Sequence, residues 1–145
     1  MPNTLDGFFK VCFILDNLEK IPENVNMWLV YLLSYADQKL NSYDLFRLVY
    51  CLDFLYSKTD LKKNELDLTV KKIKLILGRI KSFSKDDGSY SSDKAIPPLE
   101  DTRYCLFCIN IIEDLIQDLL FYYGNDLDIK PINTIYENIK DINKT

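Results

Sequence analysis

Cys105 and Cys108 form a Cys-x-x-Cys pair, the spacing used by zinc ribbons and by thioredoxin-like redox sites. Structural zinc needs four ligands, and a redox pair works at the end of a strand where a helix opens. This chain has no histidine, and its other cysteines, Cys12 and Cys51, are isolated in sequence. Leu106, Phe107 and Ile109 set the pair several residues into an apolar helix. The pair therefore reads as core packing, since a free cysteine behaves as a small hydrophobe. Further along, Glu113, Asp114 and Asp118 could ligate a cation if they converged, against the plainer reading of a solvated helix face. Asp126 and Asp128 carry the same two readings. Lys71, Lys72, Lys74, Arg79 and Lys81 form a basic stripe, for which an acidic partner or phosphate stands against an ordinary wet side.

No other pattern specifies a reaction. The absence of histidine removes the usual general base and the commonest metal ligand. The four glycines, Gly7, Gly78, Gly88 and Gly124, form neither a P-loop nor a dinucleotide fingerprint, and no nucleophile elbow occurs. The chain is expected not to be an enzyme and to use no cofactor or metal. Its net charge of −4 and pI near 4.8 argue against general nucleic-acid binding, which needs clustered cations.

The elements that would position these residues are helices. At 145 residues with 48% hydrophobic and 28% charged content, the chain reads as one domain, 1–145, able to bury a core without disulfides. Six helical segments are predicted and almost no strand. The first runs from Leu5 to Glu19, with Thr4 or Asn3 as cap. The second opens at Pro22, and its apolar stripe extends to Leu40. Ser42 is placed as the N-cap of the third, which carries Leu45, Leu48, Leu52 and Leu55. The fourth covers Glu65 to Phe83, followed by one long loop, 84–98, rich in Ser, Asp, Gly and Pro. The fifth runs from Leu99 to Gly124, with Gly124 as a left-handed C-cap. The last begins near Pro131 and carries a seam of Ile132, Ile135, Ile139 and Ile142.

The fifth segment is apolar enough to raise the question of a membrane span. Arg103, Glu113, Asp114, Gln117 and Asp118 interrupt it, which excludes a span of ordinary kind. Roughly 25 helical residues cover nearly 40 Å, the height of a small domain. The segment is expected to be the central helix of an all-α bundle, with the amphipathic helices around it. The start of the chain lacks a basic leader, so an intracellular, reducing setting with free thiols is expected.

What remains is recognition by contact, which aromatic side chains anchor well. Phe8, Phe9, Phe13, Trp28, Tyr31, Tyr35, Tyr43 and Tyr50 crowd the first three helices. Tyr31, Tyr35 and Tyr50 lie off the main apolar stripes and are the candidate partner-binding residues. Two readings stand for them: exposed anchors, or rings that finish the core and cover its rim.

The segments MWLVYLLSYADQKLNSYDLFRLVYCLDFL (27–55) and PPLEDTRYCLFCINIIEDLI (97–116) resemble the poxviral Bcl-2-like proteins. The first is similar to that family's early helix pair, and the second to its central helix, introduced here by Glu100 and Asp101. Scarce Ala with abundant Ile, Asn, Lys and Tyr suggests an AT-rich genome, which AT-rich viruses, some bacteria and some protists all fit. The resemblance implies a Bcl-2-like bundle in the host cytoplasm that binds host signalling or apoptotic proteins. It also implies inhibition of NF-κB or interferon induction, or of apoptosis, with homodimers formed through the first and last helices. The Asn-Trp-Gly-Arg motif of cellular relatives is echoed only by Gly78-Arg79-Ile80, which precedes the loop. Leu48 and Leu52-Asp53 echo the death motif with Leu in place of Gly, which weakens any expectation of binding pro-death helices. The alternative reading is a small helical assembly subunit or a bacterial immunity-type protein.

Overall fold

The computed structural model describes residues 1–143 and is all-helical. The helices are α1 (Leu5–Asn17), α2 (Val25–Ser34), α3 (Ser42–Tyr56), α4 (Lys63–Ser82), α5 (Pro98–Tyr123) and α6 (Ile129–Asn143), with a 3₁₀ turn at Tyr35–Asp37 after α2. Local chemistry sets most of the boundaries. The Thr4 hydroxyl accepts from the Gly7 N–H at 3.0 Å and starts α1. At α4, Glu65 reaches back to the Lys62 N–H at 3.0 Å. In α6, Pro131 sits in the first turn, where its missing N–H costs nothing.

Four local expectations change. Helix α2 begins at Val25, not Pro22, because Asn24 adopts a left-handed conformation (φ 49°) that reverses the chain just before it. The same helix stops at Ser34, so Leu40 lies beyond it. Asn41, not Ser42, caps α3: its side chain accepts from the Asp44 N–H at 2.9 Å, and Ser42 becomes the first helical residue. Gly124 ends α5 in a right-handed conformation (φ −53°), and a hydrogen bond from the Asp126 N–H to the Tyr123 carbonyl at 2.9 Å closes the turn instead.

The helices alternate in direction. On one layer Phe9 meets Phe46 and Phe13 meets Tyr50, while Tyr104 meets Tyr43 and Phe107 meets Phe46, so α1, α3 and α5 run in parallel. Helices α2, α4 and α6 return beneath them; Lys63 bonds the Asp126 carbonyl near one end of the α4–α6 pair and Lys81 reaches Asp141 near the other. The central position belongs to α3 rather than to α5. Packed against α1, α2 and α5, α3 has no exposed residue. Helix α5 buries Cys105, Ile109, Ile112, Ile116 and Leu119, yet it leaves Leu99, Phe107, Phe121 and Tyr122 in solvent. Apolar residues thus occupy more of its girth than its neighbours cover. The Ile132, Ile135, Ile139 and Ile142 seam of α6 is buried, as its spacing requires.

The long loop is tied down. Asp101, 1% exposed in the first turn of α5, accepts from the Ser92 N–H and Ser92 hydroxyl, both at 2.7 Å, and from the Asp93 N–H at 3.3 Å. Burial raises its carboxyl pKa, but the neighbouring Ser42 hydroxyl and the hydrogen bonds from Ser92 and Asp93 outweigh that and hold it below the usual carboxylate range. Of the acidic pair at the start of α5, Asp101 thereby becomes a clasp for the loop, while Glu100 is exposed.

Candidate functional site

The side chains singled out as possible chemistry separate in the fold. All four cysteines are buried free thiols. Burial, with Asp101 nearby, pushes the Cys105 thiol up to about 12, and burial raises Cys108 as well. Thiols held neutral are poor nucleophiles and poor metal ligands. Packing of α1 on α3 brings Cys12 and Cys51 together, and the Cys12 contact joins burial in raising Cys51. The two lie far apart in sequence, and no local pattern pairs them.

The carboxylates of α5 also divide. Glu113 is half-buried toward α6, where it helps raise the Tyr136 hydroxyl, itself shifted first by burial. Asp114 and Asp118 are exposed on the side toward α3. Among the described residues no three acidic, cysteine or histidine side chains are placed to hold a metal ion. Asp126 and Asp128 are exposed in the α5–α6 turn. Of the basic stripe on α4, Lys72 pairs with Asp37 at 2.6 Å and Lys81 with Asp141 at 3.3 Å, Arg79 is half-buried, and Lys71 and Lys74 stand in solvent. No helix among the described residues is long and apolar enough to cross a membrane.

The three candidate tyrosines fall in three settings. Tyr31 is 52% exposed on α2. Tyr35 is half-buried, its ring edge-on to Phe8 at 6.4 Å, which makes it a rim residue of the core. Tyr50 alone belongs to a larger array. Its ring lies 5.3 Å from Phe9, 6.3 Å from Phe13 and 6.3 Å from Phe46, and its hydroxyl donates to Asp16 at 2.9 Å. From Phe46 the array continues to Phe107 at 5.9 Å and Tyr104 at 5.7 Å, and from Tyr104 to Tyr43 at 4.9 Å. Arg47 stacks on Tyr43, 3.8 Å from the ring centroid, and pairs with Asp6 and Asp44.

These rings make one aromatic band across the outer side of α1, α3 and α5. The rings from α3 are half-buried and form its floor; Phe13 on α1 (51% exposed) and Phe107 on α5 (43% exposed) form its rims. Helix α3 sets the floor because every third or fourth residue, Tyr43, Phe46 and Tyr50, returns to the same side. Phe46, Tyr104 and Phe107 are the residues that sequence reasoning missed; the i, i+3 repeat of aromatics along α3 was the available signal.

Beyond Tyr50 the band turns acidic. Asp53 follows one turn later on α3, flanked by Asp16 of α1 and by Asp114 and Asp118 of α5. Burial, then Asp118, Asp114 and Asp16 in that order, pushes the Asp53 carboxyl up to about 6. Among the described residues none of these four carboxylates has an ion-pair partner. A cavity of about 310 Å³ opens between the ends of α3 and α5, with Asp53, Asp60, Asp118, Tyr122 and Tyr123 on its walls.

The fold is thus an all-α six-helix bundle carrying an exposed aromatic band that runs into an acidic end. Comparison with known proteins finds no matching family model, no matching curated protein and no matching solved structure.

Proposed function

We propose that this chain is a non-enzymatic protein–protein interaction module that docks partners on the aromatic band of α1, α3 and α5. The observation that carries the reading is the exposure of Phe13 and Phe107 on either side of a continuous row of rings. Aromatic side chains that bury large area at low entropy cost are the usual anchors of such contacts. The resemblance of segments 27–55 and 97–116 to poxviral Bcl-2-like proteins points to host adaptors, kinases or apoptotic proteins as the partners, with innate signalling or apoptosis as the process blocked.

The test compares wild type with a Phe13→Ser/Phe107→Ser double variant in affinity capture from mammalian lysate, after circular dichroism has established that both are folded. Recovery of an NF-κB, interferon-pathway or apoptotic component by wild type, and its loss in the variant, supports the reading. Equal recovery by both removes the band as the docking face. A second reading, a subunit that assembles with copies or partners of its own source, is favoured by the exposed apolar residues of α1, α2 and the segment between them. Ile14, Leu18, Ile21, Met27, Val30 and Tyr31 are all exposed there. Sedimentation equilibrium tests the self-assembly arm of this reading: a monomer at micromolar concentration removes it.

A further inference from the structure

The acidic end of the aromatic band is charged from two sources. Asp16, Asp53, Asp114 and Asp118 gather there, and among the described residues no cation is paired to them. Helices α1, α3 and α5 also end on this side: Asp16 bonds Tyr50 near the end of α1, and Tyr123 at the end of α5 accepts from the Leu61 N–H just past α3 at 3.2 Å. A helix carboxyl end carries partial negative charge, usually offset by Lys or Arg in the last turn. None of these three helices has a basic residue in its last turn. Of the cations that follow the ends of α1 and α3, Lys20 is exposed and Lys58 lies over the Phe54 ring, 5.7 Å from its centroid.

The shape matches the charge. The half-buried rings of α3 lie between exposed Phe13 of α1 and exposed Phe107 of α5, with Phe9 and Tyr104 half-buried like the floor, forming a shallow trough. From Tyr43 to Ser57 the trough runs for about 14 residues of helix, roughly 20 Å. A helix of four turns laid along α3 would cover it. At the acidic end, the cavity of about 310 Å³ offers carboxylates together with the rings of Tyr122 and Tyr123, the surroundings that hold an ammonium or guanidinium group.

We propose that this trough receives a cationic amphipathic helix of a partner protein. Its apolar side chains sit on the aromatic band, and a Lys or Arg enters the cavity between the ends of α3 and α5. The proposal rests on the docking reading above and specifies the chemistry of the occupant. An anionic membrane surface is opposed by the carboxylates. A second copy is disfavoured because the chain carries net charge −4 and two cations of its basic stripe, Lys72 and Lys81, are already ion-paired.

The probe is a displayed library of random peptides of about 16 residues, roughly 24 Å as a helix, selected on the immobilised full chain. Recovered peptides are measured by fluorescence anisotropy. Selected peptides are expected to be rich in Lys and Arg, with apolar residues at i, i+3 and i+4. Their affinity should fall about tenfold between low and high salt, as screened charge pairs require. An Asp53→Asn/Asp114→Asn/Asp118→Asn variant, checked by circular dichroism, should weaken them about tenfold or more. Neutral or acidic peptides, or unchanged binding to the triple variant, overturn the cationic occupant. In that event, continued dependence on Phe13 and Phe107 leaves the docking face standing. Peptides insensitive to both sets of changes overturn the two readings together.

Discussion

Asp53 gives the sharpest test of how this surface is built. Its carboxyl pKa rises from the ordinary 3.8 to about 6 because α3 half-buries it and three other carboxylates face it from α1 and α5. At neutral pH the folded chain therefore holds a charge that the unfolded chain holds more comfortably. A rise of that size corresponds to at most about 3 kcal/mol, at ~1.4 kcal/mol for each tenfold change in proton affinity. Asp53 remains partly in solvent and its neighbours are exposed, so screening reduces this to about 1 kcal/mol. Asp53→Asn keeps the shape, removes the charge and should stabilise the fold by that amount at pH 7.5, a rise of about 3 °C in Tm. The sign follows from linkage: a raised folded-state pKa contributes stability fully present below the unfolded value near 4, and lost as pH rises through about 6. The gain from Asp53→Asn should accordingly vanish at pH 4 and be complete above pH 7. The chain's single tryptophan, Trp28, supplies the assay, since it is buried with its ring edge-on to Phe8 at 5.4 Å. Urea titrations of both proteins, followed by Trp28 fluorescence across this pH range, give the difference directly. A gain independent of pH, or a loss at pH 7.5, would refute the assignment of unfavourable charge to Asp53.

Other consequences can be measured alongside. Ile112 has no solvent exposure, and Ile112→Asp, which buries a carboxylate without a partner, should abolish cooperative unfolding; an unchanged Tm would remove Ile112 from the core. Asp101→Ala orphans the Ser92 and Asp93 donors and should cost on the order of 3 kcal/mol by urea titration; a cost within experimental error would mean the loop is not held by this clasp. Because the Asp101 pKa is lowered, its contribution should be present above the unfolded value near 4 and disappear as pH falls below that range. The four thiols should react with a disulfide reagent at pH 8 only as fast as the chain unfolds; a fast-reacting thiol in the native protein would contradict their burial.

The retained cost at Asp53 bears on function. Burial among like charges makes the ionised Asp53 a net cost to the empty bundle at neutral pH. A docked cation would relieve the repulsion, which links the stability of this end of the bundle to occupancy of the trough.

Much of the architecture is local and could be read from spacing alone. Apolar residues recurring every three or four positions specified six helices, and the isoleucines of α6 marked their own buried side. Helix ends were less legible. A left-handed Asn24 and a cap moved to Asn41 depend on how the chain must turn to pack, which propensity does not encode. The site was the least legible. Tyr50 could be singled out because it lies off the stripe of Leu45, Leu48, Leu52 and Leu55, but its neighbours come from Phe9 and Phe13 on one helix and, through Phe46, Phe107 on another. Which helix is most enclosed was decided in the same way: α5 has the more continuous apolar sequence, yet α3 is covered by α1, α2 and α5. Periodicity within a helix states which residues share a side. Spacing along α5 already separates Glu113 from Asp114 and Asp118, but only packing between helices sets register across them, and that register joins the rings into one band and brings Asp114 and Asp118 toward Asp53.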